Sequence, residues 1–161
     1  MDLESVVRTP VPAVPQTPHD DRANPSDMSR TVLLVDDERE MIGPLERALG
    51  MLGYLVTTAV NGADAAEKAL TLRPRAVVTD LLMPVLDGIG LAKALRANPA
   101  TAGAKIVLCS GVAEGSVRRL FSDYDAFLPK PFELEDLCAM LSALLPIPAL
   151  ADVPDAAAGS V

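Results

Sequence analysis

Four segments of the chain are short runs, mostly apolar and without helical spacing, and each stops abruptly at polar residues. Val32-Leu33-Leu34-Val35 stops in Asp36-Asp37-Glu38, and Ala76-Val77-Val78-Thr79 stops in Asp80. Lys105-Ile106-Val107-Leu108-Cys109 stops at Ser110-Gly111, and Ala126-Phe127-Leu128-Pro129 at Lys130. Apolar runs this short read as strands buried on both faces. Residues 55–59 (Leu-Val-Thr-Thr-Ala) add a fifth strand. Between the strands the apolar period changes. Met41, Ile42, Leu45, Leu49 and Leu52 recur at helical spacing, and Gly53 ends that helix. Gly43-Pro44 interrupts the pattern, because proline lacks a donor and clashes one turn back. The pair predicts an irregular first turn, or a helix that begins near Gly43. Asn61 caps a second helix through about Leu72, with Pro74 beyond it. A loop with Pro84 and Asp87-Gly88 leads into a third helix to about Ala97, and a short fourth runs roughly from Glu114 to Phe121. Leu134, Leu137, Cys138, Leu141 and Leu145 give the last helix its stripe.

Five strands alternating with five helices predict a parallel, doubly wound α/β sheet. Pro129 belongs on an edge, because proline cannot donate to a central ladder. The flavodoxin-like order 2-1-3-4-5 puts the fifth strand there. Sites in such sheets form beyond the carboxyl ends of the strands. Those ends carry Asp36 and Asp37, Asp80, Ser110 and Lys130. The acids Asp36-Asp37-Glu38 at the end of one buried strand repel one another unless a cation joins them. Carboxylate oxygens suit a hard cation such as Mg²⁺, which takes one or two of them with waters and a phosphate oxygen. The plainer reading of the first acidic run alone is a loop that begins a helix. Acids on two strand ends, with a hydroxyl and a lysine on two others, favour a site.

Charge and composition narrow the function classes. The 161 residues are half hydrophobic and carry a net charge of −8, enough for one domain with a single core. No Lys/Arg cluster offers a track for phosphates, which argues against a direct nucleic-acid partner. The acid excess is partly local: residues 1–28 hold five acids and two bases, and residues 146–161 two acids and no base. Pro10, Pro12, Pro15, Pro18 and Pro25 mark residues 1–28 as a disordered arm. The only histidine, His19, lies there as a solvated bystander, and Met28 offers a second start. The tail 146–161, with Pro148 and Pro154, reads in the same way, leaving residues 29–145 as the folded domain. Cys109 and Cys138 lack C-x-x-C spacing and read as reduced core residues. No run approaches the roughly 18 apolar residues of a membrane span, and no signal-peptide pattern opens the chain. These features predict a soluble, cytoplasmic protein.

The combination of Val-Leu-Leu-Val-Asp36-Asp37-Glu38, Asp80-Leu-Leu-Met83-Pro84 with Asp87-Gly88, Ser110, and Lys130-Pro131-Phe132 resembles the receiver domain of two-component response regulators. The resemblance spans about Arg30 to Leu145. It implies that Asp80 is the phosphoacceptor, and that Asp36 and Asp37 are the acidic Mg²⁺ pair, with Asp80 and the Leu82 backbone carbonyl completing the protein ligands. It implies that Lys130 pairs with the phosphoryl group, that Ser110 is the switch hydroxyl and that Phe127 is the switch aromatic. It implies a cis Lys130-Pro131 bond. A plainer role for Phe127 is edge-strand packing. The chemistry is consistent with the likeness, since a carboxylate can accept a phosphoryl group and the transfer needs mainly positioning and charge neutralisation.

The chain departs from the family pattern in places. Ser110 replaces a common threonine, Gly111 a common alanine, and only 19 residues separate Ser110 from Lys130, which predicts a short fourth helix. Leu82 and Val112 stand where polar residues often steer a hydrolytic water, which predicts slow dephosphorylation. With little chain after Leu145, the reading is a single-domain regulator. It would be phosphorylated by a histidine kinase or phosphotransfer protein, catalyse only its own phosphorylation and dephosphorylation, and act through protein contacts on the face of helix four, strand five and helix five. Two alternatives come from other classes. A hydrolase forming an aspartyl phosphate would need a substrate pocket and usually a second acid at position 82. A non-phosphorylated adaptor would not need the complete set of site residues.

Overall fold

A computed structural model describes residues 30–146. The strands are β1 (Thr31–Val35), β2 (Leu55–Ala59), β3 (Ala76–Asp80), β4 (Lys105–Ser110) and β5 (Ala126–Pro129). The helices are α1 (Arg39–Met51), α2 (Gly62–Leu72), α3 (Gly88–Ala97), α4 (Glu114–Leu120) and α5 (Leu134–Leu144). All strand pairs are parallel and the order is β2-β1-β3-β4-β5, as the hydrophobic pattern and Pro129 predict.

Successive residues of a strand point to opposite faces, and here both faces are covered. Val32, Leu34 and Val78 pack against Ile42, Leu45 and Leu49 of α1 and Leu137 and Leu141 of α5. Leu33, Val35 and Val77 pack against Ala65 and Ala69 of α2, Leu91 and Leu95 of α3, and Val117 of α4. That two-sided burial is why the strands read as continuous apolar runs rather than alternating ones.

One sequence expectation needs correction. α1 neither begins at Gly43 nor opens irregularly; it runs unbroken from Arg39 with Pro44 inside it. Pro44 and Glu40, one turn back, are both exposed, so water can serve the carbonyl that proline leaves without a donor. The buried stripe of Ile42, Leu45 and Leu49 holds the helix together across it. At the far end Gly53, at φ 86°, closes the helix. Its N–H donates to Gly50 at 3.0 Å and that of Tyr54 to Leu49 at 3.1 Å, the paired bonds of a Schellman end.

Side-chain caps fix the starts of α2 and α3. Asn61 Oδ1 accepts the Asp64 N–H at 2.9 Å and Asp87 Oδ1 accepts the Gly90 N–H at 2.7 Å. α4 is short, as the 19-residue spacing predicts. The arm with His19 and Met28, and the tail beyond Pro146, lie outside the described residues.

Candidate functional site

Parallel registry assembles the site. Val35 is paired with Thr79, Asp80 with Cys109, and Ser110 with Pro129. The next residue on each strand end therefore falls on the same rim, and Asp36, Asp80, Ser110 and Lys130 become neighbours across four strands. Carboxylate oxygens of Asp36, Asp37 and Asp80 all lie within 4.8 Å of one another. Lys130 Nζ stands 3.2 Å from Asp80 Oδ1 and 3.6 Å from Asp36 Oδ2.

Each acid is held differently. Asp36 is 7% exposed, and its Oδ1 accepts the Glu38 N–H at 2.9 Å. Asp37 is exposed beside it. Asp80 is half-buried, and its Oδ1 accepts the Leu81 N–H at 2.8 Å as well as the ammonium. The Asp80 carbonyl accepts the hydroxyl of buried Thr79 at 2.9 Å. Gly88 sits directly over that carbonyl, where a Cβ would collide with the Asp80 backbone, and its N–H donates to the Leu81 carbonyl at 2.9 Å. The absent side chain at Gly88 lets α3 start this close to the acid, a role that only the Asp-Gly pair in the sequence hints at.

Electrostatics follow from this packing. Burial pushes the Lys130 ammonium down, but the charges of Asp36 and Asp80 and the hydrogen bond to Asp80 outweigh it and raise its pKa. Burial pushes the neighbouring Cys109 thiol up to about 12, with Asp80 and Asp36 adding to the effect and Lys130 opposing it. Cys109 is a free, buried thiol, the reduced core residue that the sequence predicts.

Ser110 lies on the rim, but its hydroxyl accepts the Val112 N–H at 3.0 Å, while its carbonyl accepts the Lys130 N–H at 2.8 Å. Phe127 is half-buried against the cluster of Leu33 and Leu108, its ring centroid 6.3 Å from that of Tyr124. The Lys130-Pro131 bond is cis. Leu82, 67% exposed, and Val112, 38% exposed, bring apolar side chains to the loops after β3 and β4. A hollow of about 460 Å³ is lined by Leu128, Pro129, Pro131, Phe132, Asp136, Ala139 and Met140, and by none of the three site carboxylates.

The donor set is all oxygen and three carboxylates deep, which fits a hard divalent cation better than a soft one. Among the described residues no helix is long and apolar enough to cross a membrane.

Comparison with known proteins agrees with this geometry. The response regulator receiver domain family matches residues 32–142. The transcriptional regulatory protein PrrA of Mycobacterium leprae is 39% identical over 117 residues, 73% of this chain and 50% of that protein. The response regulator MprA of Mycobacterium ulcerans is 38% identical over 134 residues, 83% of this chain and 57% of that protein. The chain thus spans about half the length of these relatives. Among solved structures, the chemotaxis response regulator CheY4 of Vibrio cholerae superposes with a TM-score of 0.66 at 29% identity, covering 71% of this chain and 98% of that one. The receiver domain of the sensor histidine kinase PA1611 from Pseudomonas aeruginosa also gives 0.66 at 29% identity, covering 72% and 97%, and its structure has a magnesium ion coordinated in the active-site cleft. On sequence and fold together, this chain belongs to the receiver domains of two-component response regulators.

Proposed function

We propose that the chain takes a phosphoryl group onto Asp80 from a histidine kinase or phosphotransfer protein and passes the signal on by protein contacts. The observation that carries this reading is the Asp80 carboxylate set within 4.8 Å of Asp36 and Asp37 with Lys130 at 3.2 Å. Asp80 Oδ1 is occupied by Lys130 and the Leu81 N–H, while Oδ2 has no hydrogen-bond partner among the described residues. In this reading Oδ2 is the oxygen that attacks phosphorus. The new P–O bond forms as the donor's P–N bond breaks, and the donor imidazole leaves.

Asp36, Asp37, Asp80 and the Leu82 backbone carbonyl would hold Mg²⁺. Bound there, the ion neutralises carboxylate and phosphoryl charge. Lys130 supplies a fixed positive charge for the phosphoryl oxygens, and Ser110 a hydrogen bond once its hydroxyl turns from Val112. The product adds about −1.5 to −2 of charge and three acceptor oxygens. Drawing Ser110 toward them moves the loop after β4 and gives Phe127 room to turn inward. That repacks the face of α4, β5 and α5 for a downstream protein.

Incubation with acetyl phosphate and Mg²⁺ tests the reading. Wild type should acquire an acid-stable, base-labile phosphoryl group, and Asp80→Asn should acquire none. Failure of the wild type to take up phosphate, or equal labelling of Asp80→Asn, would overturn it. Turnover of a generic phosphomonoester would point instead to a hydrolase.

A further inference from the structure

α4 is the least anchored helix of the fold. It spans seven residues, has no side-chain cap at Ala113, and buries only Val117. Gly115 lies inside it although a Cβ there would meet nothing within 4 Å, so this glycine weakens the helix without a steric need. Val117 joins the core beside Leu33 and Ile106, and the other ties from α4 are polar and aromatic and converge on Tyr124. Tyr124 donates its hydroxyl to Glu114 Oε1 at 3.0 Å, and Arg118 donates to the same oxygen at 2.6 Å. The Arg118 guanidinium lies over the Tyr124 ring, 5.8 Å from its centroid. That ring stands 6.4 Å from Phe121, which ends α4, and 6.3 Å from Phe127 on β5.

Tyr124 is therefore in contact both with the first and last turns of α4 and with the aromatic residue of β5. We propose that Tyr124 is a latch: its hydroxyl on Glu114 holds α4 down, and movement of Phe127 releases it. The proposal rests on the reading of Phe127 as the group that moves when Asp80 is phosphorylated. A ring packed against Phe127 loses that support when Phe127 turns inward. Its hydroxyl then leaves Glu114, and α4 is held to the core by Val117 and, at its end, Phe121.

Coupling is reciprocal, so weakening the latch must favour the phosphorylated form. The test uses beryllofluoride with Mg²⁺ as the phosphoryl mimic on the full chain, followed by amide NMR. Tyr124→Phe keeps both ring contacts and removes one hydroxyl. It should bind the mimic about fivefold more tightly, the low end of measured couplings. In the free variant the amides of residues 113–121 should already shift toward their positions in the bound wild type. Glu114→Ala should act in the same direction, and adding it to Tyr124→Phe should give no further gain. Equal affinity for wild type and Tyr124→Phe, or unshifted α4 amides, would overturn the latch and leave the phosphoacceptor reading standing. If wild type itself fails to bind the mimic, the phosphoacceptor reading falls, and the coupling falls with it.

Discussion

The loop between β3 and α3 carries a strained residue whose cost can be worked out. Val85 adopts φ 71°, and the N–H of Leu86 donates back to the Pro84 carbonyl at 2.9 Å across it. A three-residue turn with positive φ at its centre is rare, and a β-branched side chain is the poorest occupant of that region. Such a residue costs about 1–3 kcal/mol. Little is recovered by packing, because Val85 is 82% exposed. At roughly 1.5–3 kcal/mol for a fully buried side chain, the remaining contact contributes about 0.3–0.5 kcal/mol. Val85→Asn should therefore stabilise the protein by about 1–2 kcal/mol, since asparagine tolerates positive φ. At about 4 °C per kcal/mol for a domain of this size, the melting temperature should rise by about 4–8 °C. Val85→Gly should gain somewhat less, because it loosens the unfolded chain. Val85→Ala keeps a Cβ and should recover less than half. Thermal and urea unfolding of the three variants check the order. An alanine variant as stable as the asparagine one, or an asparagine variant no more stable than wild type, would refute backbone strain as the cause.

Further outcomes follow from other parts of the molecule. Leu82 stands exposed two residues after Asp80 and offers no side-chain group to orient water, so Leu82→Asn should speed acyl-phosphate decay about tenfold, the scale of one added hydrogen bond to the attacking water. Decay at the wild-type rate or slower, followed by loss of radiolabel, would count against that role. Burial pushes the Asp125 carboxyl up, but Lys105, the Ile106 N–H and Arg96 together hold it below its ordinary value of 3.8. A carboxyl depressed in the folded state stabilises above its unfolded pKa and loses that contribution as pH falls through the folded value. Asp125→Asn should therefore be less stable than wild type at pH 7 in urea titrations, with the gap closing as pH drops below about 4; a gap that holds constant with pH would show the charge to be idle.

How much of this was legible in the sequence depends on distance along the chain. The strand ends were readable because each apolar run stops at its own chemistry, and registry then brings Asp36, Asp80 and Lys130 together without further information. The helix ends were readable where one residue carries the signal, as at Asn61 and Gly53. Pro44 misled, because a local rule about proline yields to a buried stripe on the opposite side of the helix. Arg96 could not be found. It donates to the Ala102 and Ala104 carbonyls and pairs with Asp123 and Asp125, 27 and 29 residues away, at the rim opposite the acids. No spacing rule links such partners. Tyr124 escaped for the same reason, and Val85 because no glycine or asparagine marks its turn.

On the proposed function, these placements also predict which part of the fold a charge added at Asp80 would move. α1 buries Ile42, Leu45 and Leu49, and α3 buries Leu91, Ala92 and Leu95. At about 1.5–3 kcal/mol for each large side chain, neither helix yields to a perturbation of a few kcal/mol. The amino ends of β4 and β5 are clamped by Asp125, whose carboxylate meets Arg96 at 2.8 Å, Lys105 at 2.9 Å and the Ile106 N–H at 2.9 Å. α4 has one buried side chain and a shared acceptor at Glu114. It lies between Ser110 and β5, next to the residues that a phosphoryl group would draw in. Segments of lowest local stability respond first to a bound charge. The response to a phosphoryl group would therefore centre where thin packing and the arriving charge coincide. α2 also buries only small residues, Gly62, Ala65 and Ala69, but α4 is the one that lies between Ser110 and β5.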